Sequence, residues 1–158
     1  MKIEEIKKLE FPEIKVIRYK RHNDQRGYFS VPFVNNVFYS KVDNVKFIQL
    51  NESYSKRGIF RGMHIQIDPP QGKLVRTIYG SMIDFVMDVR KDSLNYGKII
   101  GYEMTEDKEK EYNEWIWVPP GFAHGNLYLK ETRIEYLCTA EYNPSGEYGL
   151  SIFGNNID

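Results

Sequence analysis

The chain has 158 residues with 22 basic and 22 acidic side chains, a length that suits one domain with a real hydrophobic core. The charge balance gives no overall field that would seek a polyanion, so a nucleic-acid partner is not expected. Apolar runs such as Phe85-Val86-Met87 are far too short to span a membrane, and the Lys/Glu-rich start is unlike a signal peptide. The expectation is therefore a cytoplasmic protein without a membrane partner.

Residues 1–10 suit either an amphipathic helical turn or two, with Ile3, Ile6 and Leu9 apolar, or an N-terminal strand. Residues 14–18 read as a strand, and Asn23-Asp24-Gln25-Arg26-Gly27 as a turn before Tyr28-Phe29. A short helix is the alternative to coil at 34–40. Further strands are predicted at 46–51, 58–66, 73–79, 82–89, 98–104, 115–118, 126–129 and 133–140. Many short strands at even spacing predict an all-β sandwich or barrel. Cys138 is the lone cysteine, so no internal disulfide forms, and its apolar setting predicts a buried, inert thiol.

Alternation places the reactive side chains. Over 58–66, Phe60, Gly62, His64 and Gln66 share one face and Arg61 takes the other. A bulge at Gly62 would bring Arg61 and His64 to the same side. Lys73 shares a face with Val75 and Thr77, and Asp84 shares one with Met82, Val86 and Asp88. The opposite face, Ile83, Phe85, Met87 and Val89, is apolar, which predicts a sheet buried on both sides.

The pattern Pro119-x-Gly121-x-x-His124, with the earlier His64 strand, resembles the two motifs of the cupin jelly rolls. Metal-binding cupins use a His-x-His pair; position 66 is Gln here, which leaves too few good ligands for a metal site. Within the cupins the chain resembles the dTDP-4-dehydrorhamnose 3,5-epimerase family. The resemblance rests on Asp24-x-Arg26-Gly27-x-Phe29, Gln49-x-Asn51-x-Ser53, Arg61-Gly62-Met63-His64-x-Gln66 and Gln71-Gly72-Lys73-Leu74-Val75. It continues in Asp84-x-x-x-Asp88-x-Arg90, Gly121-Phe122-Ala123-His124-Gly125 and Tyr136-x-x-Thr139-x-x-Tyr142-x-Pro144. These motifs follow one another in a single order, which makes the match specific.

The resemblance implies a cupin jelly-roll, or double-stranded β-helix, barrel with short flanking helices. It also implies a homodimer in which N-terminal strands reach across to the partner. The implied activity is cofactor-free epimerisation of a nucleotide-linked 4-keto-6-deoxy sugar at C3 and C5. His64 resembles the family base, Lys73 the residue that steadies the enolate oxygen, and Tyr136 the returning acid. Asp84 and His124 match positions at the same cavity. Arg26 and Arg61 resemble arginines that meet diphosphate or sugar oxygens; Gln49, Asn51 and Gln66 can bond sugar hydroxyls, and Tyr28, Phe29 or Tyr142 can stack on a base.

There are departures. Val31 stands where the family has Glu, and Asn126 where it has an aromatic. The domain is read as 1–158 without the family's usual C-terminal tail, whose aspartate pairs with the catalytic histidine; Asp84, Asp158 or another carboxylate is the candidate replacement. Two alternatives remain open: a C3-only epimerase of a related hexose or heptose, and a non-catalytic sugar-nucleotide-binding cupin.

Overall fold

Strands dominate because apolar and polar residues alternate between turn residues almost everywhere along the chain. The structure, a computed structural model, describes residues 1–151. In chain order the elements are β1 (Ile3–Lys8), β2 (Lys15–Asp24), β3 (Gly27–Ser30), α1 (Asn35–Lys41), β4 (Gln49–Ser55), β5 (Phe60–Gln66) and β6 (Lys73–Tyr79). They continue with β7 (Ser81–Asp88), β8 (Ile99–Thr105), β9 (Tyr112–Val118), β10 (Phe122–Tyr128), β11 (Thr132–Cys138) and β12 (Glu147–Gly149).

The strands form two antiparallel sheets. The larger runs β1-β2-β9-β6-β11-β4, with β3 paired to the far end of β2, and the smaller runs β12-β5-β10-β7-β8. This is the all-β jelly roll that the motifs imply. Between the sheets lies a core of Val16, Val75, Val86, Ile116, Val118 and Ile134 with their neighbours. These side chains supply most of the burial that favours the closed sandwich.

The two outer faces differ. Leu74, Trp115 and Trp117 on the larger sheet are covered by α1 and its flanking segments. A helix of seven residues has little stability alone. It is held by Phe38, which is buried and packs edge-on against Phe47 at 4.9 Å and Trp117 at 5.5 Å. The indoles complete the cover by donating from Trp115 Nε1 to the Pro32 carbonyl and from Trp117 Nε1 to Asp43 Oδ2. On the smaller sheet, Ile83, Phe85 and Met87 are only half-buried. The expected two-sided burial therefore fails there, because no helix among the described residues packs on that face.

Several boundaries also differ from expectation. The N-terminus is a strand, since β1 pairs with β2 from Ile3↔Tyr19 to Lys8↔Lys15, which removes the helical alternative. The strand expected at 14–18 runs on to Asp24, and Tyr28-Phe29 belong to β3. The helix around 34–40 forms as α1, alone among the described residues where several short helices are implied. The strand expected at 46–51 sits instead at Gln49–Ser55, where its partner is β11.

The β2–β3 hairpin is the most exposed element near the site. β2 pairs with β9 as far as Lys20↔Tyr112, and from Arg21↔Ser30 onward it pairs with β3 instead. Residues 22–29 are all exposed.

Candidate active site

A cavity of about 390 Å³ opens between the sheets, where β5 and β10 face β4, β6 and β11. One wall carries Lys73, Ser53, Ile134 and Tyr136; the other carries Arg61, His64, His124, Asn126 and Tyr128. The family-implied reactive groups thus converge from four strands.

Arg61 and His64 meet at one cavity because β5 is bulged. Against β10, His64 faces His124 and Arg61 faces Asn126, so Gly62 and Met63 together oppose Gly125. Gly62 has φ +124°, a conformation suited to glycine. A Cβ there would come within 2.6 Å of Gly125 Cα. Met63 is turned outward into a small apolar cluster with Ile65 and Ala123, while the side chains on either side of the bulge face in.

His64 is exposed at the mouth. Arg61 is braced at the rim, donating from Nε to Ser55 Oγ at 2.8 Å and from a terminal nitrogen to the Tyr54 carbonyl at 3.3 Å. Across the cavity the Lys73 ammonium lies 5.9 Å from the centre of the Tyr136 ring. Burial holds the Tyr136 phenol above the ordinary tyrosine range, with the Asn51 amide pulling the other way. Tyr136 is accordingly protonated at neutral pH and able to give a proton.

At the floor, Asp84 is fully buried and lies behind the cavity lining. An ionised carboxylate only accepts. Its Oδ2 takes a bond from His124 Nε2 at 2.8 Å and one from Asn126 Nδ2 at 3.1 Å. Asp84 thus orients His124, as their shared cavity position implies, and among the described residues no hydrogen bond joins it to His64, which corrects the expectation that it replaces the partner of that histidine. Asp158, the other candidate partner of His64, lies outside the described residues. No group of three or more His, Cys, Asp or Glu side chains among the described residues could hold a metal ion. Cys138 is buried, and burial raises its thiol to about 11, which leaves it unreactive near neutrality.

Other expected binding residues do not line this cavity. Gln66 donates to the Pro69 and Glu141 carbonyls and accepts from the Asn143 amide, so its carboxamide is fully engaged in holding loops. Gln49 likewise links Asn51 Oδ1 to the Tyr142 backbone N–H. Asn51, on the same face of β4 as Ser53 and opposite Tyr136, is taken up by these neighbours, donating to Cys138 Sγ at 3.8 Å and adjoining the Tyr136 phenol. Tyr142 is on the surface, where Glu147 accepts from its phenol and raises it. Arg26 and Phe29 are on the exposed hairpin, with Arg26 bonded to Asp24 at 2.7 Å.

Sequence reasoning did not select Tyr128 or Ser53 and treated Asn126 only as a departure. The available signal was period two: Asn126 and Tyr128 follow His124 on its own face. That signal was hidden because the strand was placed at 126–129, whereas β10 starts at Phe122.

A family model described as dTDP-4-dehydrorhamnose 3,5-epimerase matches residues 8–158. The protein of that name from Methanothermobacter thermautotrophicus is 40% identical over 136 residues, covering 85% of this chain and 71% of its own length. Its namesake from Sinorhizobium fredii is 41% identical over 145 residues, covering 90% and 72%. Among solved structures, a dTDP-6-deoxy-D-glucose-3,5-epimerase from Legionella pneumophila, in complex with dTDP-4-keto-L-rhamnose, matches with a TM-score of 0.88 and 31% identity. That match covers 94% of this chain and 78% of the other. The dTDP-4-dehydrorhamnose 3,5-epimerase of Sulfolobus tokodaii matches with a TM-score of 0.84 and 36% identity, covering 97% and 84%.

Proposed function

The chain belongs to the dTDP-4-dehydrorhamnose 3,5-epimerase family and is an isomerase of a sugar nucleotide, and from that premise we propose how its cavity works. The substrate is a dTDP-linked 4-keto-6-deoxy sugar of the kind that the Legionella protein holds. The observation that carries the mechanism is the convergence of His64, Lys73 and Tyr136 on one cavity.

A ketone at C4 acidifies the hydrogens on C3 and C5. The His64 imidazole, which faces the cavity from its mouth, removes one of them as a proton. The C–H electron pair moves into the ring and leaves an enolate on the C4 oxygen. Lys73 stabilises that oxygen; a preorganised charge at such a position contributes on the order of 3 kcal/mol to the transition state. Tyr136, protonated at neutral pH, returns a proton to the opposite face of the carbon, and the charge on the oxygen collapses back to the ketone. His64 then gives up its proton to solvent and Tyr136 regains one from it, and the same cycle at the second carbon inverts both centres. Nothing is oxidised overall, so the steps balance with protons alone. Arg61 at the mouth offers a guanidinium to the diphosphate, and the Asp84–His124–Asn126 floor fixes the shape against which the sugar rests.

We place Arg26 and Phe29 in the cavity of a second copy of the chain. They are implied to bind substrate, yet they sit on an exposed hairpin outside their own cavity. A two-stranded hairpin is marginal in water, and docking against a partner both covers it and supplies the missing groups. The active form is then a homodimer exchanging arms.

The test is proton NMR of dTDP-4-keto-6-deoxyglucose in heavy water with the purified protein. Loss of both the C3 and C5 signals is expected. Loss at C3 alone would make the chain a 3-epimerase, and binding without loss at either carbon would make it a non-catalytic binder.

A further inference from the structure

We propose that Arg21 and Glu106 form a positioning clamp that sets the direction of the β2–β3 hairpin, and through it the affinity of the partner's cavity for the sugar nucleotide. The inference rests on the reading that the hairpin enters a second copy.

Arg21 stands at the residue where β2 leaves β9 and begins to pair with β3. Its side chain is 2% exposed and that of Glu106 is 4% exposed, although the hairpin beyond it is open to solvent. One guanidinium nitrogen donates to both Glu106 oxygens, at 2.7 and 2.8 Å, and another to the Asp107 carbonyl at 2.8 Å. The ring of Tyr28, on β3, lies over the guanidinium with its centre 4.1 Å from the central carbon. The Arg21 amide also donates to the Glu111 carbonyl at 2.7 Å, and Asn23 Nδ2 to the Lys108 carbonyl at 3.4 Å. The planar group therefore touches both hairpin strands and the loop before β9 at once.

Stability alone does not account for this arrangement. A buried ion pair loses much of its attraction to desolvation, and apolar replacements commonly fold as well. What they lack is direction, since a guanidinium that donates to several fixed acceptors holds one orientation. Leverage makes the direction matter: four residues of strand put the hairpin tip about 13 Å from Arg21, so a tilt of ~10° moves it by about 2 Å. A hydrogen bond does not survive that displacement. Arg21 and Glu106 are positioning residues, acting through Arg26 and Phe29.

The experiment compares wild type, the double variant Arg21→Met/Glu106→Leu and the near-isosteric Glu106→Gln. Thermal melting and light scattering first establish folding and dimer mass; Glu106→Gln carries the comparison if the double variant does not fold. The clamp predicts a KM raised about tenfold with kcat changed less than twofold. Co-expression with His64→Asn then gives mixed dimers in which the variant's intact cavity receives an intact arm, and wild-type KM returns at that site. An unchanged KM, or a raised KM that mixing leaves as it is, overturns the clamp. Arg26→Ala in the same mixing assay separates the two levels. If it is not rescued, or if wild type is monomeric, the arm reading fails and the clamp with it; if it is rescued and the Glu106 variant is not, only the clamp fails.

Discussion

The floor and the mouth of the cavity treat their polar groups in opposite ways. At the floor, Asp84, His124 and Asn126 are buried and bonded to one another. At the mouth, His64 is exposed and has no carboxylate bonded to it among the described residues. Asp84 Oδ2 ties His124 and Asn126 into one buried unit that holds shape, because undoing any one of these bonds leaves buried groups unpaired. A group that faces an open cavity with its ring nitrogens available is poised for a ligand. Two histidines of one jelly roll thus have separate work, and their local partners decide which is which.

Substitutions can break that contrast from either side. The largest effect is expected at the mouth: His64→Asn should slow ring-proton exchange by about a thousandfold or more, roughly 4 kcal/mol in the barrier. Its melting temperature should stay within about 2 °C of wild type, since an exposed site contributes little stability. A comparable loss of stability would place His64 with the floor. Asp84→Ala should do the reverse, lowering unfolding free energy in urea by about 3 kcal/mol because His124 and Asn126 lose their shared acceptor. Gly62→Ala tests the hinge between the two regions. The positive φ and the approach to Gly125 should cost about 2 kcal/mol in stability, and a displaced His64 should lower kcat as well.

The smallest effect sharpens the comparison further along β7. Asp88 is as buried as Asp84, and its bonds to Arg90 and Ser93 hold its carboxyl down at about 2. A carboxyl depressed by folding stabilises the protein above its unfolded pKa, near 4, and that contribution is lost as pH falls through about 2. Urea midpoints at pH 5 and pH 2.5 should therefore fall further for wild type than for Asp88→Asn. Equal drops would remove Asp88 from the acid response.

Some of this was readable in the residues. The bounds of β6 are legible because Lys73 to Tyr79, with the β-branched Val75, Thr77 and Ile78, is bracketed by Gly72 and Gly80. The bulge was foreseeable from Gly62 lying between Arg61 and His64, whose chemistry calls for one cavity. β10 was cut short because Gly121 and Gly125 read as loop punctuation, whereas Gly125 lies within the strand, opposite the bulge. Gln49 and Gln66 show a different limit. A carboxamide bonds a loop carbonyl and a sugar hydroxyl equally well, and only the fold reveals that backbone groups already take these two. The partly covered outer face of the smaller sheet is unreadable for a related reason, since an apolar stripe does not say how much lies on it.

The approach of β5 to β10 has a consequence for how such a chain can diversify. A side chain at Gly62 would strike Gly125, and one at Gly125 would strike Phe60, Met63 and the Arg61 carbonyl. Gly62 takes a side chain only if β10 moves or at a clear cost in stability, and Gly125 only if Phe60 and Met63 shift, so change at either position is coupled to its neighbours. Tyr128 and Ile134 stand on the cavity wall without that constraint. Descendants of this sequence can therefore acquire new sugar preferences one wall residue at a time, while the glycine pair is inherited as a block. A mutational library aimed at new substrates should keep those two codons constant and randomise the wall.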